Sequence, residues 1–224
     1  DNYAVYLVDK HNFTLIKKTI RRGKGPGEIN STSGIFYKKD NSSLYIPSYI
    51  QNAIIQVPLS NLLSEQVKSP KKFMTDLRDE YFSIDKMLVI NDSIVLTAGY
   101  KNNCVMKINT KNKNIDVIGK LPPKPEGIKW YRYTNLYTRF ITYNTSVKQL
   151  AVGYLSMDKL ESYNLQGEVI FKRVGPNNFS STYKNQNYSD SRRAYENIKS
   201  DSKYIYCLYS GREAWHYKDG STSL

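Results

Sequence analysis

Histidine is almost missing from this chain, with only His11 and His216 among 224 residues. Neither belongs to an HExxH pattern, and no CxxC spacing occurs, which argues against a zinc centre. His11 falls in a predicted hairpin turn and His216 in a predicted strand, and both read as solvated or structural. Cysteine is equally scarce. Cys104 and Cys207 lie far apart in apolar, strand-like runs and read as buried free thiols rather than a disulfide. Two cysteines leave the redox compartment open. Long apolar runs are absent too: stretches such as MLVI at 87–90 are far too short for a membrane-spanning helix. The opening DNYAVYLV is already strand-like and shows no signal peptide, which leaves room for a leader removed ahead of it. No G-x-S-x-G nucleophile setting is present. The acids Asp76, Asp79 and Glu80 sit among Lys and Arg and read as a charged loop or short helix face, with no calcium-loop spacing.

Basic residues and tyrosine are what the chain has in excess. Lys and Arg total 33 against 20 Asp and Glu, a net charge of +13. Such a surface attracts anions, whether nucleic acid, anionic lipid or acidic glycan. The excess is dispersed, with local clusters at Lys17–Lys24 and Lys68–Lys72, and reads mainly as a solvated surface. Tyrosine occurs 20 times against 7 Phe. It favours strands and also sugar- or peptide-binding surfaces.

A repeat organises the chain. Four units each begin with a short apolar strand: IFY at 35–37, MLVI at 87–90, RFITY at 139–143 and AYENI at 194–198. Each is followed by a polar turn rich in Asn, Asp and Ser, residues that bend a chain through side-chain-to-backbone hydrogen bonds. A second strand follows (LYIPSY, IVLTAGY, LAVGY, IYCLY), then a third (AIIQVPL, CVMKINT, KLESYNL, EAWHYKD). Three units add a fourth strand ending in proline: EQVKSP, IDVIGKLP and EVIFKRVGP. The first residues fit the same frame, with YAVYLV as a second strand, FTLIKK as a third and KKTIRRGKGP as a fourth. The marker prolines are Pro26, Pro70, Pro122 and Pro176. Four short antiparallel strands per unit predict an all-β β-propeller, each unit a blade. The approximate units are 1–30 (partial), 31–70, 87–122, 139–176 and 192–224 (partial), within a single domain over 1–224.

The stretch RRGKGPGEIN resembles a phosphate cradle at first sight. A P-loop needs GxxxxGK[ST] opening a helix, and no Ser or Thr follows the Gly-Lys pair here. Gly23, Gly25, Pro26, Gly27 and Glu28 instead occupy the position where one blade hands over to the next, as LPPKPEG and RVGPNN do later.

The G-x-G-P-G-E connector (Gly23 to Glu28) and the LYSGR stretch (Leu208 to Arg212) resemble the TolB-like six-bladed propeller proteins of Bacteroidetes. The resemblance implies an exported protein, in the periplasm or at the outer-membrane surface, often lipid-anchored through a segment outside this chain. It brings no catalytic residues with it. Six blades of about 50 residues take about 300, so the expectation is a fragment or a ring with fewer blades.

Strand alternation puts the loop after each second strand and the connector after each fourth at the same end of a blade. That end collects Tyr49, Tyr100, Tyr154 and Tyr209, with Tyr6 as a counterpart in the first unit. It also collects the connectors at 71–86 (Phe73, Arg78, Tyr81), 123–138 (Trp130, Tyr131, Arg132, Tyr133, Tyr137) and 176–193 (Phe179, Tyr183, Tyr188, Arg192, Arg193). Aromatic rings beside Arg suit stacking and cation–π contact. The candidate ligand-binding residues are Trp130, Tyr131, Arg132, Tyr133, Tyr154, Arg193, Tyr209 and Arg212. Packing between neighbouring blades is the alternative role for the tyrosines. The leading expectation is a non-catalytic binding or scaffold propeller for a glycan, peptide or protein, without a cofactor or metal. One alternative is a propeller hydrolase or lyase with a metal in the central channel, for which the first strands supply only Asp85, Asn91 and Glu196 nearby. The other is a basic nucleic-acid-binding module, although no specific nucleic acid is expected.

Overall fold

A computed structural model describes residues 2–25, 27–30, 34–38, 40–48, 53–64, 71–75, 87–98, 103–180, 183–184, 187–188 and 192–211. They form strands β1 (Tyr3–Val8), β2 (Leu15–Arg21), β3 (Phe36–Lys38), β4 (Ser43–Ser48) and β5 (Ala53–Pro58), then a short helix α1 (Leu59–Leu63). Next come β6 (Lys71–Thr75), β7 (Met87–Asn91), β8 (Ile94–Ala98), β9 (Asn103–Asn109), β10 (Ile115–Lys120) and helix α2 (Trp130–Leu136). The order continues with β11 (Arg139–Asn144), β12 (Gln149–Tyr154), β13 (Lys159–Tyr163) and β14 (Val169–Val174). Two short strands, β15 (Tyr183–Lys184) and β16 (Asn187–Tyr188), precede β17 (Tyr195–Ser200) and β18 (Ile205–Tyr209).

Three sheets are four-stranded meanders: β3-β4-β5-β6, β7-β8-β9-β10 and β11-β12-β13-β14. The pairs β1-β2, β15-β16 and β17-β18 stand as hairpins. These are the four-stranded antiparallel blades that the repeat predicts. The chain divides into two compact units, residues 1–95 with 109–113, and residues 96–108 with 114–224.

One turn device closes hairpin after hairpin. The Asp9 carboxylate accepts from the amides of His11 (2.7 Å) and Asn12 (3.2 Å). The side-chain oxygen of Asn109 does the same for Lys111 and Asn112, and that of Asn144 for Ser146 and Val147. Asn164 serves Gln166 and Glu168, and Asp201 serves Lys203 and Tyr204. Each Asx side chain satisfies turn amides that the ladder leaves open, which is why Asn and Asp recur at these points.

Burial grades across a blade. In the sheet β11–β14 the second strand, β12, is buried from Leu150 to Tyr154, whereas β14 is exposed except at Phe171. A strand covered on both faces reads as a continuous apolar run instead of an alternating one. Each fully buried Val, Leu or Ile there contributes about 1.5–3 kcal/mol. Gly153 shows how close the next sheet lies: a Cβ there would be 3.1 Å from Ile198 Cγ2 and 3.3 Å from Tyr195 Cβ. Tyr195, Ile198, Ala151, Ala194 and Phe179 form the core at this junction. In the first unit the core gathers Val5, Ile20, Ile29, Ile46, Ile55 and Leu62.

Three expectations are corrected. YAVYLV and the residues after it form one hairpin, β1-β2, in which FTLIKK and KKTIRR contribute to a single strand. The strand that runs into the first connector is therefore β2, and β1 corresponds to a third strand, not a second. Tyr6 pairs with Lys18 in this hairpin, so it is not the counterpart of Tyr154 and Tyr209. In the repeat predicted over 31–70 the strand that completes the sheet is β6, beyond Pro70, while EQVKSP lies outside the described residues. Phe73 thus belongs to a strand, where its ring meets Tyr45 edge-on at 4.9 Å. The proline marks a step before the last strand here, because α1 is inserted after β5. Finally, the aromatic run at 130–136 is a helix and not an open loop.

Candidate functional site

The site is built in the second unit, at the end where β12 and β18 finish and β11 and β17 begin. A relay of backbone hydrogen bonds joins these four strand ends. Leu155 donates to the Thr138 carbonyl (2.9 Å), Ala194 to Leu155 (2.7 Å) and Ser210 to Ala194 (2.8 Å). Tyr154, Arg193 and Tyr209 each lie one residue from a member of this relay. Helix α2 ends two residues before Thr138. Of the sequence-predicted residues, Tyr154, Arg193 and Tyr209 are thus gathered at one end of the sheets by the backbone itself.

Helix α2 is organised by its own aromatic spacing. Trp130, Tyr133 and Tyr137 stand at i, i+3 and i+7, which places them on one helix face. Trp130 and Tyr133 meet edge-on at 5.5 Å, and Tyr133 and Tyr137 at 4.8 Å. Tyr133 is fully buried and its hydroxyl donates to the Pro122 carbonyl. Burial pushes that hydroxyl up to about 12. The ammonium of Lys124 sits 5.4 Å from the Trp130 ring centroid and donates to the Ile128 carbonyl (2.7 Å). Trp130 and Arg132 are half-buried. Tyr131 lies on α2 at the described backbone; its side chain lies outside the described residues.

The connector after β14 is held by Asp158. This residue is 1% exposed, and its Oδ2 accepts from the amides of Asn177 (2.7 Å) and Asn178 (2.8 Å). Its own amide donates to the Phe179 carbonyl, and Gly175 donates to its carbonyl. Asn177 then donates through Nδ2 to the Tyr209 hydroxyl (2.9 Å). The Tyr209 ring meets Tyr195 edge-on at 5.3 Å. The Arg192 guanidinium lies 4.6 Å from the Phe179 ring centroid. Arg193 is exposed and approaches Glu196 at 4.0 Å.

Tyr154 is enclosed. Its hydroxyl donates to Glu161 Oε2 (2.5 Å) and lies 3.0 Å from the Cys104 sulfur. With the tyrosine proton given to Glu161, the thiol is the donor to the tyrosine oxygen. Glu161 Oε1 pairs with Lys159 (2.8 Å) and Lys172 (3.4 Å). Burial works against its charge, but the hydrogen bonds from Lys159 and Tyr154 hold its carboxyl below the usual range. Burial pushes the Cys104 thiol up to about 11 and pushes the Tyr154 hydroxyl up as well. Burial also lowers Arg139, whose Nη1 donates to the Tyr137 carbonyl (2.7 Å). Sequence reasoning missed this cluster, because its members come from β9, β11, β12, β13 and β14. Cys104 is a buried free thiol, and Cys207 is free and half-buried.

The connector that resembled a cradle keeps its amide for itself. Gly25 donates to Glu28 Oε2 (2.9 Å), Glu28 donates back to the Gly25 carbonyl (3.1 Å), and Gly27 takes φ 79°. Pro26, Tyr49, Tyr100, Arg78, Tyr81, Asp85, Arg212 and His216 lie outside the described residues, as do Asp76, Asp79 and Glu80. Among the described residues no three His, Cys, Asp or Glu side chains converge as metal ligands. Among them, too, no helix is long and apolar enough to cross a membrane.

A family model described as TolB-like 6-blade propeller-like matches residues 2–224. The chain belongs to this family, and its all-β blades are those of a β-propeller. No curated protein matches it. Among solved structures, a member of the DUF4221 family from Bacteroides vulgatus is 13% identical with a TM-score of 0.51; the match covers 76% of this chain and 50% of that one. A Bacteroides fragilis protein designated as exported is 12% identical, with a TM-score of 0.47 over 74% of this chain and 43% of that one. A chain of a nidogen/laminin complex is 9% identical, with a TM-score of 0.51 over 91% of this chain and 63% of that one. The chain therefore spans about half the length of the Bacteroides proteins it resembles.

Proposed function

We propose that this chain is part of a non-catalytic binding or scaffold propeller that works outside the cytoplasm, in the periplasm or at the outer-membrane surface. Its partner, a glycan, peptide or protein, docks at the connector end of the second unit, on Trp130, Arg132, Arg193 and Tyr209. The observation that carries this reading is the hydrogen-bond relay through Thr138, Leu155, Ala194 and Ser210. It fixes the strand ends beside Arg193 and Tyr209, while Trp130 and Arg132 stand on helix α2, which ends two residues before Thr138. Tyr133 and Tyr154 support that base from within, since both are buried. Half-buried aromatic rings with Arg beside them suit the flat faces of sugars and the side chains of peptides. The extracytoplasmic setting rests on the family resemblance.

Screening the protein on glycan and peptide arrays tests the site. A binder that loses at least about tenfold in affinity in the W130A/R132A double variant, with an unchanged melting temperature, is the expected result. A binder whose affinity is the same in that variant removes the site from consideration.

A further inference from the structure

We propose that Tyr154, held by Glu161, is a positioning residue that couples the two halves of the connector end, helix α2 and the relay of strand ends, a role that rests on reading this end as the docking face. Tyr154 is 1% exposed, and a buried phenol needs a partner for its hydroxyl. That partner is Glu161 Oε2, at 2.5 Å. The carboxylate is held in turn by Lys159 (2.8 Å), by Lys172 (3.4 Å) and by the Tyr163 hydroxyl. Side chains from β12, β13 and β14 thus meet on one buried carboxylate, which pins the tip of the Tyr154 ring. Hydrogen bonds to a charged group are the strong ones, and this anchor is of that kind.

From Tyr154 the coupling runs two ways. Along the chain, Leu155 follows directly: its amide donates to the Thr138 carbonyl and its carbonyl accepts from Ala194. Fixing Tyr154 therefore fixes the relay beside Arg193 and Tyr209. Across the sheet, Arg139 stands directly opposite Tyr154 in the register of β11 and β12. Residues paired in this way share a face, with Cβ atoms about 4.5–5.5 Å apart. Arg139 is 5% exposed, and its Nη1 donates to the carbonyl of Tyr137, the residue directly after α2. A buried cation that loses a hydrogen bond is costly, so the packing of Tyr154 beside Arg139 bears on the end of α2, the helix of Trp130 and Arg132. Tyr163 belongs to the same cluster but faces another way. Its hydroxyl lies against Gly119 of β10, where a Cβ would come within 2.8 Å of it.

Amide hydrogen exchange in Tyr154→Phe and Tyr163→Phe tests the coupling. Each variant keeps its ring and removes one hydroxyl from the same carboxylate, so the two are matched in what they cost the core. In Y154F the amides of Leu155, Ala194 and Tyr137 should exchange at least about tenfold faster relative to Val152, in the middle of β12. In Y163F those ratios should stay at their wild-type values. Unchanged ratios in Y154F overturn the proposal, and so does a change on the relay side or the α2 side alone. Equal changes in the two variants overturn it as well, since Tyr154 would then be core packing like Tyr163. The measurement needs no ligand, so its outcome is separate from that of the array screen. An array screen without a binder counts against the docking face and leaves the coupling in place.

Discussion

Two connectors in this molecule solve the same problem in different ways. In the first unit, G-K-G-P-G-E ends a strand and turns the chain, and a carboxylate three residues away answers the Gly25 amide. In the second, R-V-G-P-N-N does so after β14, and its amides at Asn177 and Asn178 are answered by Asp158, nearly twenty residues earlier in the chain. Both loops carry the glycines and proline of an anion cradle, and both are occupied by the protein's own acid. The difference is in cost. Glu28 is long and partly solvated, so water can replace it. Asp158 is buried, and its loss removes the acceptor of two amides at once.

Paired substitutions test this difference first. Asp158→Ala should cost about 2–4 kcal/mol, and Glu28→Ala about 0.5–1.5 kcal/mol, in urea unfolding. Equal losses would mean the two acids are equivalent. Gly175→Ala and Gly23→Ala extend the test, because a Cβ at either would collide with the capping carboxylate. Glu28 can swing away, whereas Asp158 is held by two amides, so Gly175→Ala should lower the melting temperature more.

Glu161 extends the comparison to a buried acid with charged partners. Its folded-state carboxyl lies below the ordinary value, so its contribution is present above the ordinary glutamate range and is lost as pH falls through the lower, folded value. Unfolding free energy measured across the acid range should fall less steeply in Glu161→Gln than in wild type. The Cys104 thiol runs the other way. It is raised, so its contribution is intact below the ordinary thiol value and lost as pH rises through about 11. In the native protein at neutral pH, alkylation read by mass spectrometry should mark Cys207 well ahead of the buried Cys104. The smallest effect belongs to Arg193→Ala, within about 0.5 kcal/mol of wild type, since its ion pair with Glu196 is exposed and long.

Much of the blade pattern is legible in the amino-acid sequence. The strands β4, β8 and β12 announce themselves as apolar runs, and Asn91 and Asn144 open the turns before β8 and β12. Glu28 is legible as well, because it sits inside the motif it caps. Asp158 is not: nothing local ties it to Asn177, and only the return of the connector over Met157 and Asp158 brings them together. The cluster of Cys104, Tyr154 and Glu161 is hidden for the same reason. Helix α2 was within reach, since Trp130, Tyr133 and Tyr137 keep helical spacing, but the aromatic excess draws attention away from period. The shift at β1 and the late β6 show how a proline can mark a turn without saying which strand it follows.

The proposed site stands or falls with the relay that fixes the four strand ends, and amide hydrogen exchange reads it directly. The amides of Leu155, Ala194 and Ser210 should exchange as slowly as those in the middle of β12, although all three lie outside the strands. Exchange at the rate of open loop amides, such as that of Lys10, would show that this end is not held together and would contradict the account.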